Sequence, residues 1–359
     1  MRLSTNYSAG LELLDKAEPI ATKHEHSLQL AQLHRLRGNL YFSLGRQDEC
    51  REEHLLALDY ARECGSVEAE VQALGGLGDA EFARGRMRSS REYLSQCLDQ
   101  CRKYGFGRIE VANRGQLGIA TVFCGDWRAA KNEFGGAIKS AERVGHRRAE
   151  LNARTAFCNC LVDMGDWNST EQNIERGLIL ARQLGARAWN VQLLSWRAQV
   201  LIAHGRLSDA MSILQEAESL QEEIGCAAFT AGNVYGAMLL AAADRQNRAK
   251  VFSRAAEVLK GNTLAHVQFR IYRYGIEAFL ADEDWNAVER LATSLESFTS
   301  PEPLGWSDFF IARGRALAAF GRGERDETTA QELRRLCDIA ERQGITVLVP
   351  AMHMALSSM

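Results

Sequence analysis

Apolar and polar residues follow one another along this chain with a helical beat, and the beat is interrupted at regular intervals. Take Gly45, Gly85, Gly125, Gly165 and Gly205 as origins. Small residues stand seven positions earlier (Gly38, Gly78, Gly118, Cys158, Ala198) and five positions later (Cys50, Ser90, Ala130, Thr170, Ala210). A mostly large apolar position follows nine after each origin (His54, Leu94, Phe134, Ile174, Leu214), and a small one again twelve after (Ala57, Cys97, Ala137, Gly177, Ala217). Residues three or four apart share one face of a helix, so this spacing predicts amphipathic helices notched for close approach.

A second series, Gly65, Gly105, Gly145, Gly185 and Gly225, falls halfway between the first. Glycine reaches the left-handed conformation without a Cβ clash and ends helices for that reason. The two series therefore predict helix, turn, helix, turn, with helices of about 17 residues, roughly 25 Å long. Five regular hairpins result, at 26–64, 66–104, 106–144, 146–184 and 186–224, each with a first helix A and a second helix B. Asp126 and Asp166 stand where the third and fourth hairpins need an N-cap, with Trp127 and Trp167 opening helix B.

Beyond Gly225 the spacing slips. The turns of hairpins 6 (226–260), 7 (263–298) and 8 (305–343) fall at Ala243-Asp244, Glu283-Asp284 and Gly321, with Gly236 and Gly314 keeping the small position of helix A. Pro301 and Pro303 mark a break between hairpins 7 and 8. Residues 7–24 have the pattern of a helix B without its A, and 345–357 that of a helix A without its B. The expected organisation is an unpaired helix in 1–25, a regular array over 26–225, a less regular one over 226–344 and a terminal helix over 345–359. Repeat arrays end in polar caps, so ends in mid-hairpin lead to the expectation of a piece of a longer polypeptide, or of ends covered by a partner.

Together, these features predict an all-α, right-handed superhelical solenoid of antiparallel hairpins, about eight of them with an unpaired helix at each end. The small–large–small order on helix B resembles the tetratricopeptide repeat in a long, about 40-residue form. That resemblance implies a concave groove lined by the A helices. The groove offsets select Gln32, Arg35 and Asn39 in hairpin 1, Gln72 and Asp79 in hairpin 2, Asn152 and Asn159 in hairpin 4, and Gln192 and Gln199 in hairpin 5. They add Asn233 in hairpin 6 and Arg270 and Arg273 in hairpin 7, with Phe42, Phe82, Val122, Val162 and Ile202 as a floor. Amide side chains carry donor and acceptor together and suit the backbone of a bound peptide. A solvated groove with no ligand has polar residues too. Arg35 and Asn39 resemble the start of the carboxylate clamp of chaperone-adaptor repeats, but Gln72 and Gly76 do not complete it.

The segments RGNLYF, EEH, ALGGLGDAE and GFGRIEVAN, within residues 31–113, carry a narrower resemblance. They are similar to the C-terminal repeats of bacterial signalling proteins that combine an adenylate/guanylate cyclase domain with an AAA/STAND-type ATPase module. The resemblance implies a regulatory arm that binds a protein or peptide and contacts an upstream nucleotide-binding module. Neither the cyclase aspartates nor a phosphate loop has a counterpart here. A free-standing scaffold and a small-effector regulator are the alternatives.

Composition narrows the chemistry further. A net charge of −3 over 359 residues argues against a polyanion-binding surface, so no nucleic acid is expected. No run of 18 apolar residues suits a membrane span, and the N-terminus lacks a basic-then-apolar export pattern. Nine cysteines scattered through helical pattern read as reduced thiols of a cytoplasmic protein. His24, His26, His34 and the pairs Cys97/Cys101 and Cys158/Cys160 do not reach zinc-like spacing, so no metal is expected. GGLG (75–78) and GRGER (321–325) lie in helical pattern or at a turn, so no phosphate loop, cofactor or catalytic residue is assigned. Exposed terminal helices suggest a homodimer contact.

Overall fold

The computed structural model describes residues 7–359, so the first six residues of the 1–25 segment lie outside it. Among the described residues there are helices and no strands. The unpaired helix α1 (Tyr7–Lys23) precedes hairpin 1, α2 (Ser27–Ser43) and α3 (Gln47–Glu63). Hairpins 2 and 3 are α4 (Val67–Ala83) with α5 (Met87–Tyr104), and α6 (Gly107–Phe123) with α7 (Trp127–Arg143). Hairpins 4 and 5 are α8 (Arg147–Met164) with α9 (Trp167–Leu184), and α10 (Arg187–Ala203) with α11 (Leu207–Ile224). Hairpins 6 to 8 are α12 (Ala227–Ala241) with α13 (Arg245–Leu259), α14 (Ala265–Ala281) with α15 (Trp285–Thr299), and α16 (Gly305–Gly321) with α17 (Glu327–Gln343). The last segment opens on a 3₁₀ turn (Thr346–Leu348) and continues as α18 (Val349–Ser357), with Pro350 in its first turn.

The predicted signals act as expected at the helix ends. All ten glycines of the two series have φ between 63° and 91°. Where the series lacks a glycine, Glu25 (φ 52°) and Glu283 (φ 55°) adopt the same left-handed turn, at a cost of roughly 1–2 kcal/mol each. Asp126 and Asp166 cap α7 and α9, accepting from Ala129 N at 3.1 Å and Ser169 N at 3.2 Å.

The small and large positions are two halves of one contact. A Cβ on Gly78 would stand 2.5 Å from Leu94, and one on Gly118 would stand 2.7 Å from Phe134. Helix A is thus notched where helix B is bulky. In the irregular part the notch is filled from a neighbouring A helix instead: Gly236 faces Tyr274, and Gly314 faces Ile276. Val122 and Val162, expected in the groove floor, are packed in the core between helices.

The A helices lie side by side as one layer, and the coil they form closes on itself. Gly85, in the turn of hairpin 2, meets Ala265 at the start of hairpin 7; Gly125 meets Gly305 at the start of hairpin 8; Gly165 meets Thr346 of the last segment. Polar contacts repeat this register. Gln47 Nε2 donates to the Thr263 carbonyl (2.8 Å), and Thr346 Oγ1 to the Met164 carbonyl (2.8 Å). The Glu302 carboxylate accepts from Arg88 N (2.6 Å) and Ser89 Oγ (2.6 Å) at the start of α5. Arg128 donates to the Glu341 carbonyl at 3.1 Å. One hydrophobic core accordingly unites Phe82, Phe123 and Trp127 with Phe269, Trp306 and Phe310. The rings of Phe123 and Phe269 are 5.1 Å apart.

Candidate functional site

Closure places α14 against α4, across the face on which the A helices of hairpins 1 to 6 converge. The predicted groove residues therefore do not form one open stripe. Gln32 and Asn39 are exposed, away from any enclosed space. Arg35 and Gln72 border a shallow cleft shared with Glu68, Phe106 and Arg108. Asn159, Gln192, Gln199, Asn233, Arg270 and Arg273 are buried. Phe42, Asp79, Phe82 and Asn152 come together around a cavity of about 280 Å³.

Six A helices, α2 to α12, contribute to that cavity. Asn113 and Gln116 of α6 join it, as do Arg148 of α8, Trp189 of α10 and Phe229 of α12. The sequence offsets missed these five. Arg148, Trp189 and Phe229 all lie in the first turn of their helices, so the 40-residue period applied to first-turn positions would have found them. Asn113 and Gln116 each follow by one residue a groove-offset position of hairpin 3, Ala112 and Gly115, where the offset falls on a small residue.

The rings form a connected wall. Trp189 and Phe229 have centroids 5.9 Å apart, and the Arg148 guanidinium is parked 5.8 Å from the Trp189 ring. His266 of α14 backs these rings as a floor, stacked on Phe82 at 5.4 Å and edge-on to Phe229 at 5.5 Å. Its Nε2–H donates to the Phe229 carbonyl at 2.9 Å. Burial, with Arg270 nearby, depresses its pKa to about 3, so the floor is a neutral imidazole.

Asp79 is the anomaly of the site. Its half-buried carboxylate lines the cavity, and among the described residues no cation and no hydrogen-bond donor contacts it. Burial raises its pKa to about 7, with no neighbouring charge pulling it back. An unpaired carboxylate in a cavity lined by aromatic rings is suited to a cation, which both the charge and the ring quadrupoles attract.

Behind the floor is a second polar group. Arg273 pairs with Asp163 at 2.9 Å, and Gln199 is hydrogen-bonded to the Tyr274 hydroxyl at 2.8 Å. Arg273 also lies 4.1 Å from the Tyr274 ring centroid and 4.6 Å from that of Phe310. These residues hold α14 in place and are closed to a ligand as large as a peptide. Larger clefts open between α11 and α13 (about 870 Å³) and among α15, α16 and α17 (about 490 Å³), but neither is lined by an aromatic ring. Among the described residues no three His, Cys, Asp or Glu side chains converge on a metal position. No helix among them is long and apolar enough to cross a membrane.

No family model and no curated protein matches this sequence. Solved structures do match. A Rap protein complexed with competence and sporulation factor superposes with a TM-score of 0.63 at 13% identity, over 77% of this chain and 76% of its own. The apo form of RapI superposes with a TM-score of 0.51 at 11% identity, over 72% of this chain and 94% of its own. At such identities the likeness concerns the fold alone. The chain is a tetratricopeptide-like helical solenoid.

Proposed function

We propose that this chain is a non-catalytic regulatory solenoid that binds a short peptide segment in the cavity around Asp79, with a positively charged group of the peptide against that carboxylate. The observation that carries the reading is Asp79 itself, an unpaired carboxylate among Phe42, Phe82, Trp189 and Phe229. Asn113, Gln116 and Asn152 supply the amides for the peptide backbone. At about 280 Å³ the cavity is at the small end of ligand sites, which favours part of a peptide over a folded domain. The fold likeness to a Rap protein that was crystallised with a factor supports a ligand-responsive role.

Screening wild type and Asp79→Asn against an array of short peptides tests this. Retention of peptides bearing a free amine, Lys or Arg, lost in Asp79→Asn, supports the reading. Equal binding by both proteins, or no binding by either, overturns it.

The resemblance of residues 31–113 to the repeats of cyclase–ATPase proteins supports the finer reading that the solenoid is the bacterial, cytoplasmic sensor arm of such a protein. In-phase coding sequence upstream of Met1 that reaches a phosphate-loop motif is the expected finding. A stop codon followed by a ribosome-binding site there removes this reading and leaves peptide binding untouched.

A further inference from the structure

Beyond the His266 floor, α14 carries Arg270 into the interior, where it is 4% exposed. One of its amino groups donates to Asn233 Oδ1, and its Nε has no acceptor. The guanidinium lies over Trp196, its carbon 5.1 Å from the ring centroid. The buried indole N–H of Trp196 and the Nδ2 of Asn233 have no acceptor either. The Arg270 guanidinium thus touches both Asn233 and Trp196, all three side chains present donors, and the one acceptor among them is already used.

The charges are unbalanced in the same sense. The ionised groups facing Arg270 are Arg273 and Asp163, and Asp163 is taken by Arg273. Among the described residues no carboxylate lies within ion-pair distance of Arg270. Burial lowers its pKa to about 10, so it stays charged at neutral pH. A buried charge is normally paired, and buried donors are normally satisfied.

We propose that Arg270, Trp196 and Asn233 bind a monovalent inorganic anion of chloride type. A single excess positive charge matches a single negative one. Trp196 is 1% exposed and Asn233 fully buried, which gives a peptide carboxylate no way in. A water molecule would accept the N–H groups and leave the charge unmet. The anion ties α10, α12 and α14 together, and its binding does not depend on whether the Asp79 cavity takes a peptide.

Thermal melting of the full chain in sodium chloride or bromide, against sodium gluconate at equal ionic strength, tests the assignment. Halide should raise Tm saturably, and a bromide-soaked crystal should show an anomalous peak beside Arg270. Arg270→Gln should abolish the halide effect. Trp196→Phe, which keeps the ring and removes the N–H, should weaken apparent halide binding about tenfold, and it decides the matter if Arg270→Gln does not fold. The same Tm in halide and gluconate, an equal halide effect in all three proteins, or no bromide peak at Arg270 would overturn the proposal.

Discussion

Arg273 and Asp163 are 110 residues apart in the chain and 2.9 Å apart in space, both buried, and the second oxygen of the same carboxylate accepts the indole N–H of Trp127 at 3.1 Å. One carboxylate thus fastens α14 to α8 and to the start of α7. Asp163→Ala strands a buried guanidinium and an indole N–H and is expected to lower unfolding free energy by about 3–5 kcal/mol in urea. Arg187–Glu223, with side chains 49% and 63% exposed, provides the contrast: Glu223→Ala should leave the urea midpoint almost unchanged.

His54 occupies the large position of hairpin 1, and its ring is wedged between Gly38 and Gly76. A Cβ on Gly76 would stand 2.2 Å from His54 Cε1, with the imidazole held on its other side. Gly76→Ala adds helix propensity, yet the clash dominates. The expected loss is about 1–3 kcal/mol, read from the denaturation midpoint. Gly76→Thr and Gly76→Val, which branch at the clashing carbon, should be worse still.

On the proposed function, Asp79 makes peptide binding and stability depend oppositely on pH. Its folded-state pKa is raised from the ordinary carboxylate value to about 7. It therefore contributes stability that is present at low pH and lost as pH rises toward 7. Asp79→Asn should raise unfolding free energy at pH 8 by about 1–3 kcal/mol and have little effect at pH 4. For a cationic peptide the sign reverses: the carboxylate is mostly protonated at pH 6 and mostly ionised at pH 8. Kd by calorimetry should fall about tenfold across that interval in wild type and stay level in Asp79→Asn.

Two buried histidines act in the other direction. Burial, then the nearby arginine in each case, depresses His54 to about 4 and His266 to about 3. Below about pH 6.5 the unfolded chain binds protons that the folded one refuses, so stability falls with falling pH, by up to about 1.4 kcal/mol per pH unit for each histidine. Asp79 offsets at most one of the two. Urea midpoints should drop between pH 6.5 and 5. His54→Leu, which installs the residue found at the equivalent positions 94 and 214, should remove about half of the histidine contribution.

The local half of the fold was legible because it is periodic. The turn glycines, the Asp126 and Asp166 caps and the Gly78–Leu94 notch are each set by residues within one hairpin, and each follows from helix geometry. The left-handed Glu25 was missed because glycine was the signal being read and only the backbone position is obligatory, whereas the turn at Glu283 was placed by spacing alone. The site was half legible. The offsets brought Phe42, Asp79, Phe82 and Asn152 to one cavity. They also selected Gln199, Arg270 and Arg273, which α14 and its neighbours bury. An offset gives the side of a helix on which a residue lies. What stands opposite depends on the pitch of the whole coil, a sum of small rotations between hairpins that no single repeat encodes.

The meeting of Gly125 with Gly305 has a consequence for evolution and for engineering. An ordinary repeat array is stable as a sum of neighbours, and units can be added or removed without harm to the rest. Here, deleting one hairpin, 106–144 for example, would preserve the chemistry of nearly every neighbouring interface, yet it would remove Gly125, which receives Gly305, and carry Ala265 and Glu302 past Gly85 and Ser89. The number of hairpins is thereby part of the tertiary structure, and a change of length by whole units should break the closing contacts.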